Sequence, residues 1–591
     1  MLRFRTAFAL RLAAAALAVL APRAGAAQAD ACPDGAISEI FIDPSDVFEV
    51  GSPDLDPRFN WAYRTANRLH PRTNEGVIRA ELLVREGQCY DPARLADSER
   101  TLRSMSFIAE ADVFGVRQPD GSWHVVVKTR DEWSTRLEPQ VNGDEGVGLT
   151  GVEFREDNLW GSGNYISAFA KESQGERVYG GVAGTRQLLW TPWDAEIALA
   201  RTPVGHSYSQ RLAYPFRGET GRWAFREQVE GGERNFLFFV PQEGGGLRRT
   251  YFEERRRAFD VGAVYRVGPR GSLTLFGVAL AGDWTEYPDG TLSADGDGSN
   301  PMPLPGDGSG SVTGLDTVSS VRVVLLAGQR NVRFVRRRSL DAVHGSEDVR
   351  LGVEIEAGVG RSLPSFSTDD DLSVTAGLAT SAYLTPQMLA GVRATAEARR
   401  LYGAESGEEW RNLFGQFDAW AYYRRSEESR HTWVAAATVV GGWRTRVPFQ
   451  LTLGNRTGVR GLPAHAYPGE RRAVGTLEHR MYLGWPYPRL FDIGSAAFVD
   501  VGRVWEGGDP FSRTSPVVVT AGAGLRFAFP PGSRRTYRLD FAYPVSGATD
   551  RRGVQVIFGV GQAVGRTANE DAQLRRSSRR ALSASLFSFP D

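Results

Sequence analysis

The chain has 591 residues, which is more than one average domain, and its 67 glycines and 11% aromatic residues suit a large β structure with many turns. Seventy basic and seventy acidic residues cancel, so no global field attracts nucleic acid or an acidic surface. No apolar run of about 18 residues follows the N-terminus, which excludes a helical membrane span. A β-barrel membrane protein would show this modest hydropathy, because apolar and polar residues alternate along its strands.

The first 26 residues are predicted to form a cleaved signal peptide. Arg3 and Arg5 make a basic start, residues 12–21 an apolar core too short to span, and residues 24–26 a small-residue cleavage site. Cleavage near Ala26 would release the mature chain into an oxidising compartment. The signal peptide therefore directs the chain out of the cytoplasm.

Cys32 and Cys89 are the only cysteines of the chain. In an oxidising compartment they can form a disulfide, provided that their segments approach each other. The alternative is two buried free thiols, and the sequence leaves both open. The seven histidines show no metal-ligand spacing, and we expect neither a metal nor a cofactor.

Residues 36–133 are predicted to form a small mixed α/β domain. Residues 37–42 indicate a buried strand and residues 77–85 an amphipathic helix. Asp91 followed by Pro92 is typical of the start of a second helix. Two further strands, over residues 107–114 and 123–129, complete a β-α-α-β-β order.

Residues 134–564 are predicted to form one array of alternating strands. Within residues 536–545, for example, Tyr537 and Phe541 share one face, whereas Arg538 and Asp540 share the other. A soluble sandwich would alternate in the same way. The long strands, the signal peptide and the repeated charges on the polar face favour a mostly β fold, namely a transmembrane antiparallel barrel with a wet lumen.

Up to twenty strands can be counted in this array. The Gly- and Ser-rich loop at residues 288–316 is expected to be extracellular, and the turn at residues 157–163 periplasmic. Residues 565–591 form a C-terminal tail, most of which is expected to be disordered. Within it, residues 586–589 are similar to an outer-membrane sorting signal.

Two motifs late in the array form the candidate site. They consist of Gly458, Val459, Arg460 and Gly461 in a loop, and of Phe498, Asp500 and Gly502 on a strand. The three strand residues have one parity, so they share a face. Arg460 and Asp500 are expected to pair inside a closed polar lumen, because either charge alone would be costly to desolvate there.

These motifs resemble the Val-Arg-Gly-Phe/Tyr loop and the Phe-x-Asp-x-Gly strand of the BamA/TamA-like outer-membrane assembly and secretion family, also known as the bacterial surface-antigen type. Leu462 stands where that family has an aromatic residue. Residues 86–91, together with later positions up to residue 133, resemble a POTRA domain. The resemblance implies sixteen barrel strands, five of them after the motif loop, and one periplasmic POTRA domain that can bind extended polypeptide at a sheet edge. It also implies that Arg460 binds Asp500 and holds the loop against the inner wall.

From this resemblance we expect an outer-membrane protein that inserts β-barrel clients into, or translocates polypeptide across, the outer membrane. No constellation of side chains indicates an enzyme. The expected partners are outer-membrane lipid, unfolded polypeptide clients and periplasmic accessory proteins, with no nucleic acid. Two alternatives stay open: a passive secretion pore for a dedicated partner protein, and a surface adhesin or structural barrel that binds through residues 288–316.

Overall fold

A computed structural model describes most of the chain after residue 31. The described residues are 32–53, 55–142, 148–173, 176–242, 246–288, 293–294, 317–402, 410–483, 490–508, 511–547, 553–566 and 571–578. The predicted signal peptide, most of the loop at residues 288–316 and the predicted sorting signal lie outside them.

The N-terminal domain is a three-stranded sheet covered by helices. Its elements are β1 (Ile37–Ser45), α1 (Asn60–Leu69), α2 (Glu75–Glu81), α3 (Pro92–Arg103), β2 (Ile108–Arg117) and β3 (Trp123–Asp131). Strand β3 lies in the centre, parallel to β1 and antiparallel to β2. The core includes the fully buried Ile78 and Leu102, which face the sheet from α2 and α3. As predicted, the Asp91 side chain caps α3 by accepting the N–H groups of Ala93 and Arg94.

The domain differs from the predicted β-α-α-β-β order by one helix. Helix α1 was not predicted; it buries Tyr63, whereas Trp61 and Leu69 are exposed. Helix α2 ends at Glu81 rather than near residue 85. Beyond it Leu82 has extended backbone (φ −68°, ψ 140°), so its burial reflects an extended segment and not another helical turn.

The remaining strands form the barrel and a small ribbon. They are β4 (Thr135–Asn142), β5 (Gly148–Leu159), β6 (Asn164–Ser173), β7 (Glu176–Thr185), β8 (Asp194–Thr202), β9 (Gly205–Tyr214), β10 (Trp223–Pro241), β11 (Leu247–Val267), β12 (Leu273–Glu286), β13 (Ser293–Ala294), β14 (Val318–Arg338), β15 (Ser346–Ser362), β16 (Asp371–Thr385), β17 (Met388–Leu401), β18 (Trp410–Tyr423), β19 (His431–Trp443), β20 (Leu451–Leu453), β21 (Tyr467–Gly469), β22 (Arg471–Leu483), β23 (Asp492–Trp505), β24 (Val518–Ala528), β25 (Tyr537–Ser546) and β26 (Gln555–Val560).

Twenty of these strands close into a single barrel within the described part of the chain, with β26 next to β4. The two-residue β13 only adds to β11, and β20 pairs with β21 as a separate ribbon. The predicted fold class, mostly β with a closed antiparallel barrel, is confirmed. The strand number matches the count from the sequence and differs from the sixteen that the resemblance implies. Five strands follow the motif loop as expected, so the additional strands precede it.

The strands alternate between a lumenal and an outer face. On β23, Phe498, Asp500 and Gly502 are buried towards the lumen, whereas Val499 and Val501 are exposed on the outside. None of the helices in the described ranges is long and apolar enough to cross a membrane.

The N-terminal domain is held against one rim of the barrel by buried charges. Asp97 on α3 lies 2.7 Å from Arg270 in the β11–β12 turn, and it accepts the backbone N–H of Glu219 at 2.9 Å. Arg103, at the end of α3, pairs with Asp348 of β15 at 2.7 Å. The domain is therefore fixed to several barrel strands and not only through the chain that leads into β4.

Part of the C-terminal tail is ordered. Residues 572–577 form helix α4 (Ala572–Ser577), and Leu574 in its centre is buried. Residues 571–578 thus adopt a defined structure within a tail most of which was predicted to be disordered, because this polar segment is stabilised by tertiary contacts that its composition does not reveal.

Candidate functional site

The loop between β19 and β22 turns inward and places Arg460 inside the barrel. Its two sides are joined by the β20–β21 ribbon, in which Leu451 pairs with Gly469. A short 3₁₀ helix (Asn455–Thr457) follows β20 and ends at Gly458. The tip is anchored by apolar contacts in a cluster of Leu453, Val459, Leu462, Val474, Val504 and Val518. Leu462, where an aromatic residue was expected from the resemblance, therefore contributes to packing beneath the loop.

Arg460 and Asp500 are brought together by the structure. The Arg460 Nε and Nη2 atoms donate to the two oxygens of Asp500 at 2.9 and 2.8 Å, and the Arg460 backbone N–H donates to Oδ2 at 3.0 Å. Both residues are almost fully buried, so the pair is shielded from water. A planar guanidinium that meets a carboxylate along both edges fixes the direction of the loop as well as its position.

Three further residues contact the Arg460 guanidinium. Arg460 Nη1 donates to Glu478 at 2.7 Å and lies 3.5 Å from Asp540. The ring of Phe498 stacks on the guanidinium, with its centroid 3.4 Å from Cζ. Phe498 and Asp500 thus act on Arg460 from the same strand face, one through its ring and one through its charge.

The acidic partners of Arg460 are themselves paired with arginines on the lumen wall. Glu478 accepts from Arg480 at 2.8 Å, and Asp540 accepts from Arg526 at 2.6 Å and from Arg538 at 2.8 Å. We call the whole set the clasp, which comprises Arg460, Glu478, Arg480, Phe498, Asp500, Arg526, Arg538 and Asp540. Such buried charges are tolerable because each one has an opposite partner with good hydrogen-bond geometry.

The sequence reasoning missed Glu478, Arg480 and Arg526 and noted Asp540 only as a residue of a polar face. Strand alternation could have indicated them, because each lies at one of the alternate positions of β22, β24 or β25 that face the lumen. Their meeting point depends on strand register, for instance the pairing of Glu478 with Phe498 across β22 and β23.

At two of the motif glycines, the backbone conformation or the surrounding atoms disfavour a side chain. Gly461 has a φ of +92°, in the left-handed region that favours glycine. A Cβ on Gly502 would lie 2.5 Å from Cγ2 of Val459 and 2.8 Å from Cδ1 of Leu453. At Gly502 the loop therefore approaches the wall too closely for a side chain to fit.

His465 lies in the same loop, outside the spanning strands. Its Nδ1 atom is 3.0 Å from the hydroxyl of Thr452, and its ring stacks on Phe239 with the centroids 4.1 Å apart. Burial, together with the positive charges of Arg456 and Arg249, lowers the pKa of His465 to about 4. The imidazole is therefore neutral at pH 7.

Cys32 and Cys89 do not belong to this site. A disulfide joins them within the N-terminal domain, with a Cα–Cα distance of 5.1 Å. No group of three or more His, Cys, Asp or Glu side chains within the described ranges is arranged to hold a metal ion.

Comparison with known protein families matches the part of the chain that contains the clasp. Residues 411–564, which contain all of its members, match the Omp85 superfamily domain. No curated protein matches the chain.

Solved structures with a similar outline include BamA from Haemophilus ducreyi lacking POTRA domains 1–3, which is 12% identical with a TM-score of 0.35 over 90% of this chain and 84% of that one. CdiB from Escherichia coli is 14% identical with a TM-score of 0.36 over 92% of each chain. The domain match confirms the family resemblance described from the sequence for residues 411–564.

Proposed function

Through residues 411–564 the chain belongs to the Omp85 superfamily of outer-membrane β-barrels, and we propose that it inserts β-barrel clients into, or translocates polypeptide across, the outer membrane. The observation that carries this proposal is the clasp, which ties the infolded loop to the four strands before the closing strand. Glu478, Asp500, Arg526 and Asp540 lie on β22, β23, β24 and β25 respectively. Buried ion pairs thereby connect the four strands that precede β26, the strand that closes the barrel.

The seam, where β26 and β4 meet to close the barrel, is formed by two short strands. Strand β26 has six residues and β4 has eight, and they are the two shortest barrel strands in the described ranges. Gly559 lies within β26, and a glycine inside a strand weakens it because no side chain packs there. An opened seam would expose the N–H and C=O groups of both edges, on which a client strand could pair.

The clasp and the short seam have complementary roles in this mechanism. Because β22–β25 are tied to one rigid loop, a force that separates β26 from β4 would act mainly on the seam and leave the register of the neighbouring strands intact. No nucleotide or cofactor is needed, since the free energy comes from the client strand's own hydrogen bonds and burial.

The occupied lumen supports this mechanism over a passive pore. The infolded loop and helix α4 both lie inside the barrel, and Arg460 and Leu574 are each buried there. Polypeptide handled at the seam would not have to pass these elements, whereas a permanently open channel would require them to be absent.

We expect Arg460→Ala to impair both stability and client insertion. Asp500 and Glu478 would lose a buried partner, which costs about 3–5 kcal/mol of unfolding free energy. Unfolding of the purified barrel on heating measures the first effect, and folding of a denatured barrel client into proteoliposomes measures the second. Arg456→Ala is the matched control, because Arg456 is an exposed arginine in the same loop.

An Arg460→Ala protein that unfolds at the wild-type temperature and inserts clients at the wild-type rate would contradict the proposed role of the clasp. Depletion of the protein, followed by profiling of the outer membrane, tests the function itself. Loss of many barrels supports insertion, loss of one exported protein favours the dedicated secretion pore, and an unchanged profile favours the adhesin.

A further inference from the structure

Beyond the last strand, the chain turns back into the barrel. Four residues after the end of β26, the carbonyl oxygen of Val564 accepts a hydrogen bond from Arg480 Nη2 at 2.5 Å. The next described residues are fixed by Arg566, which pairs with Glu347 at 3.2 Å and whose backbone N–H donates to the Tyr422 hydroxyl at 2.8 Å. These contacts lie at the rim where the N-terminal domain is docked.

The two described parts of the tail, which end at residue 566 and begin again at residue 571, contact different levels along the barrel axis. Strands β10 and β15 run in the same direction, since β10 is separated from β15 by an even number of antiparallel steps. Arg566 contacts Glu347, at the start of β15, whereas Arg576 stacks on Phe236, in the last third of β10, at 4.4 Å. Residues 566 and 576 therefore contact levels of the wall near opposite ends.

Helix α4 packs against a defined set of apolar side chains inside the barrel. Leu574 is 3% exposed and belongs to an apolar cluster with Phe414, Val440, Val447, Phe449 and Leu451. Leu574 from the tail completes this apolar cluster. Its other members come from β18, β19 and the infolded loop, so the site joins the wall to the loop.

Polar contacts fix the direction of the segment in this site. The backbone N–H of Asp571 donates to Gln416 at 2.7 Å, and the Asp571 carboxylate forms an ion pair with Arg472. Arg472 also donates to the carbonyl oxygen of Thr452, and the backbone N–H of Thr452 donates to Gln573 at 2.9 Å. The infolded loop thus contacts the tail through its backbone as well as through its side chains.

A helix of six residues is not stable in isolation, because nucleation costs more than so few hydrogen bonds return. The site therefore imposes the helix on the tail. Because the tail is tethered, its effective concentration at the site is about millimolar, so even weak intrinsic affinity keeps the site filled. Weak affinity also allows the segment to leave.

We propose that residues 571–578 are a displaceable plug, held in a lumenal polypeptide-binding site that recognises an acidic residue followed three positions later by a leucine. With the plug in place the lumen is closed to ions. A polypeptide with the same pattern at high local concentration displaces the plug and opens the lumen. This inference concerns the lumen and does not depend on client insertion at the seam.

Single-channel recordings of the full chain in planar bilayers test the closure. Leu574→Asp places a charge in the apolar cluster, and we expect its mean conductance to rise at least threefold. Ala572→Asp adds the same charge at an exposed position of the same helix, and we expect wild-type conductance. Wild-type conductance in Leu574→Asp, or an equal rise in both variants, would overturn the proposal.

Thiol labelling tests the site with milder substitutions, which keeps the proposal testable if Leu574→Asp does not fold. The two natural cysteines are bridged, so Leu574→Cys and Arg575→Cys each provide one reactive thiol. We expect a maleimide to label the cysteine at position 574 at least tenfold more slowly than the one at 575, which is exposed. A synthetic peptide with the sequence of residues 571–578, at millimolar concentration, should accelerate labelling at 574, and the same peptide with aspartate in place of its leucine should not. Equal labelling rates at the two positions, or no difference between the peptides, would refute the binding site.

Discussion

Arg460 is held by more groups than the single carboxylate that its motif suggests. Two oxygens of Asp500, one of Glu478 and the face of Phe498 all engage one guanidinium. A lysine at this position would keep the charge but could not meet both oxygens of a carboxylate while stacking on a ring. The planarity of the group, in addition to its charge, is therefore what fixes the loop.

His465 makes the infolded loop sensitive to pH. Its pKa is about 4 in the folded chain against 6.5 when unperturbed, so between these values the unfolded chain binds a proton that the folded chain excludes. The stability contributed by neutral His465 is complete above pH 6.5 and decreases as the pH falls towards 4, by at most about 3 kcal/mol.

We therefore expect the wild-type protein to lose more unfolding free energy between pH 7 and pH 4.5 than His465→Gln does. Denaturant titration in detergent at several pH values measures the difference. His206→Gln, which changes an exposed histidine on β9, should retain the wild-type pH dependence. Parallel curves for wild type and His465→Gln would contradict this prediction.

At the level of elements, the infolded loop and β23 are fitted to each other at Gly502. Val459 and Leu453 occupy the space that a side chain at this position would need. The loop can lie flat on the wall only because the strand has no side chain there, so the glycine of the strand motif and the valine of the loop motif form one steric unit.

Gly502→Ala is expected to destabilise the protein by about 1–3 kcal/mol, because the added methyl group overpacks this contact. Gly475→Ala on β22 is the matched control, since the nearest atom to its Cβ would be 4.0 Å away, and we expect no loss of stability. Thermal unfolding of the two variants provides the comparison. A loss in Gly475→Ala as large as that in Gly502→Ala would show that any strand alanine is harmful and that the loop contact is not the reason.

The elements that could be predicted are those whose signal is local. Alternation along each strand indicated the strands, and the charges repeated on their polar face favoured a barrel over a sandwich. The shared parity of Phe498 and Asp500 placed both on one face. Glu478 and Asp540 could not be assigned to the site, because their meeting depends on the register of four strands. Helix α4 could not be predicted either, since Leu574 is its only buried apolar residue and the cluster around it comes from β18, β19 and the infolded loop.

At the level of the whole molecule, the N-terminal domain and the barrel are joined by buried ion pairs. Asp97 is fully buried and contacts Arg100 at 3.0 Å and Arg270 at 2.7 Å. Because Arg270 and Glu219 belong to different barrel turns, this one carboxylate connects α3 to two places on the rim. The orientation of the domain's sheet relative to the seam is therefore set by the protein itself.

Asp97→Ala is expected to loosen this junction without opening the barrel. The backbone N–H of Glu219 and the guanidinium of Arg270 would lose a buried acceptor, at a cost of about 1–3 kcal/mol. Hydrogen exchange should become faster in α3 and in the β9–β10 turn, and remain unchanged in β22–β25. Asp43→Ala, which removes an exposed carboxylate from β1, is the control. Unaltered exchange in α3 of Asp97→Ala would contradict a docking role for this residue.

The number of strands has a consequence for the space that they enclose. The diameter of a barrel grows roughly in proportion to its strand number, so twenty strands surround roughly half as much cross-section again as sixteen would. One infolded hairpin of a given size covers a smaller share of that wider bore. A barrel of this width either contains water beside the hairpin or has a second segment that occupies part of its lumen. The segment that follows β26 lies in that space.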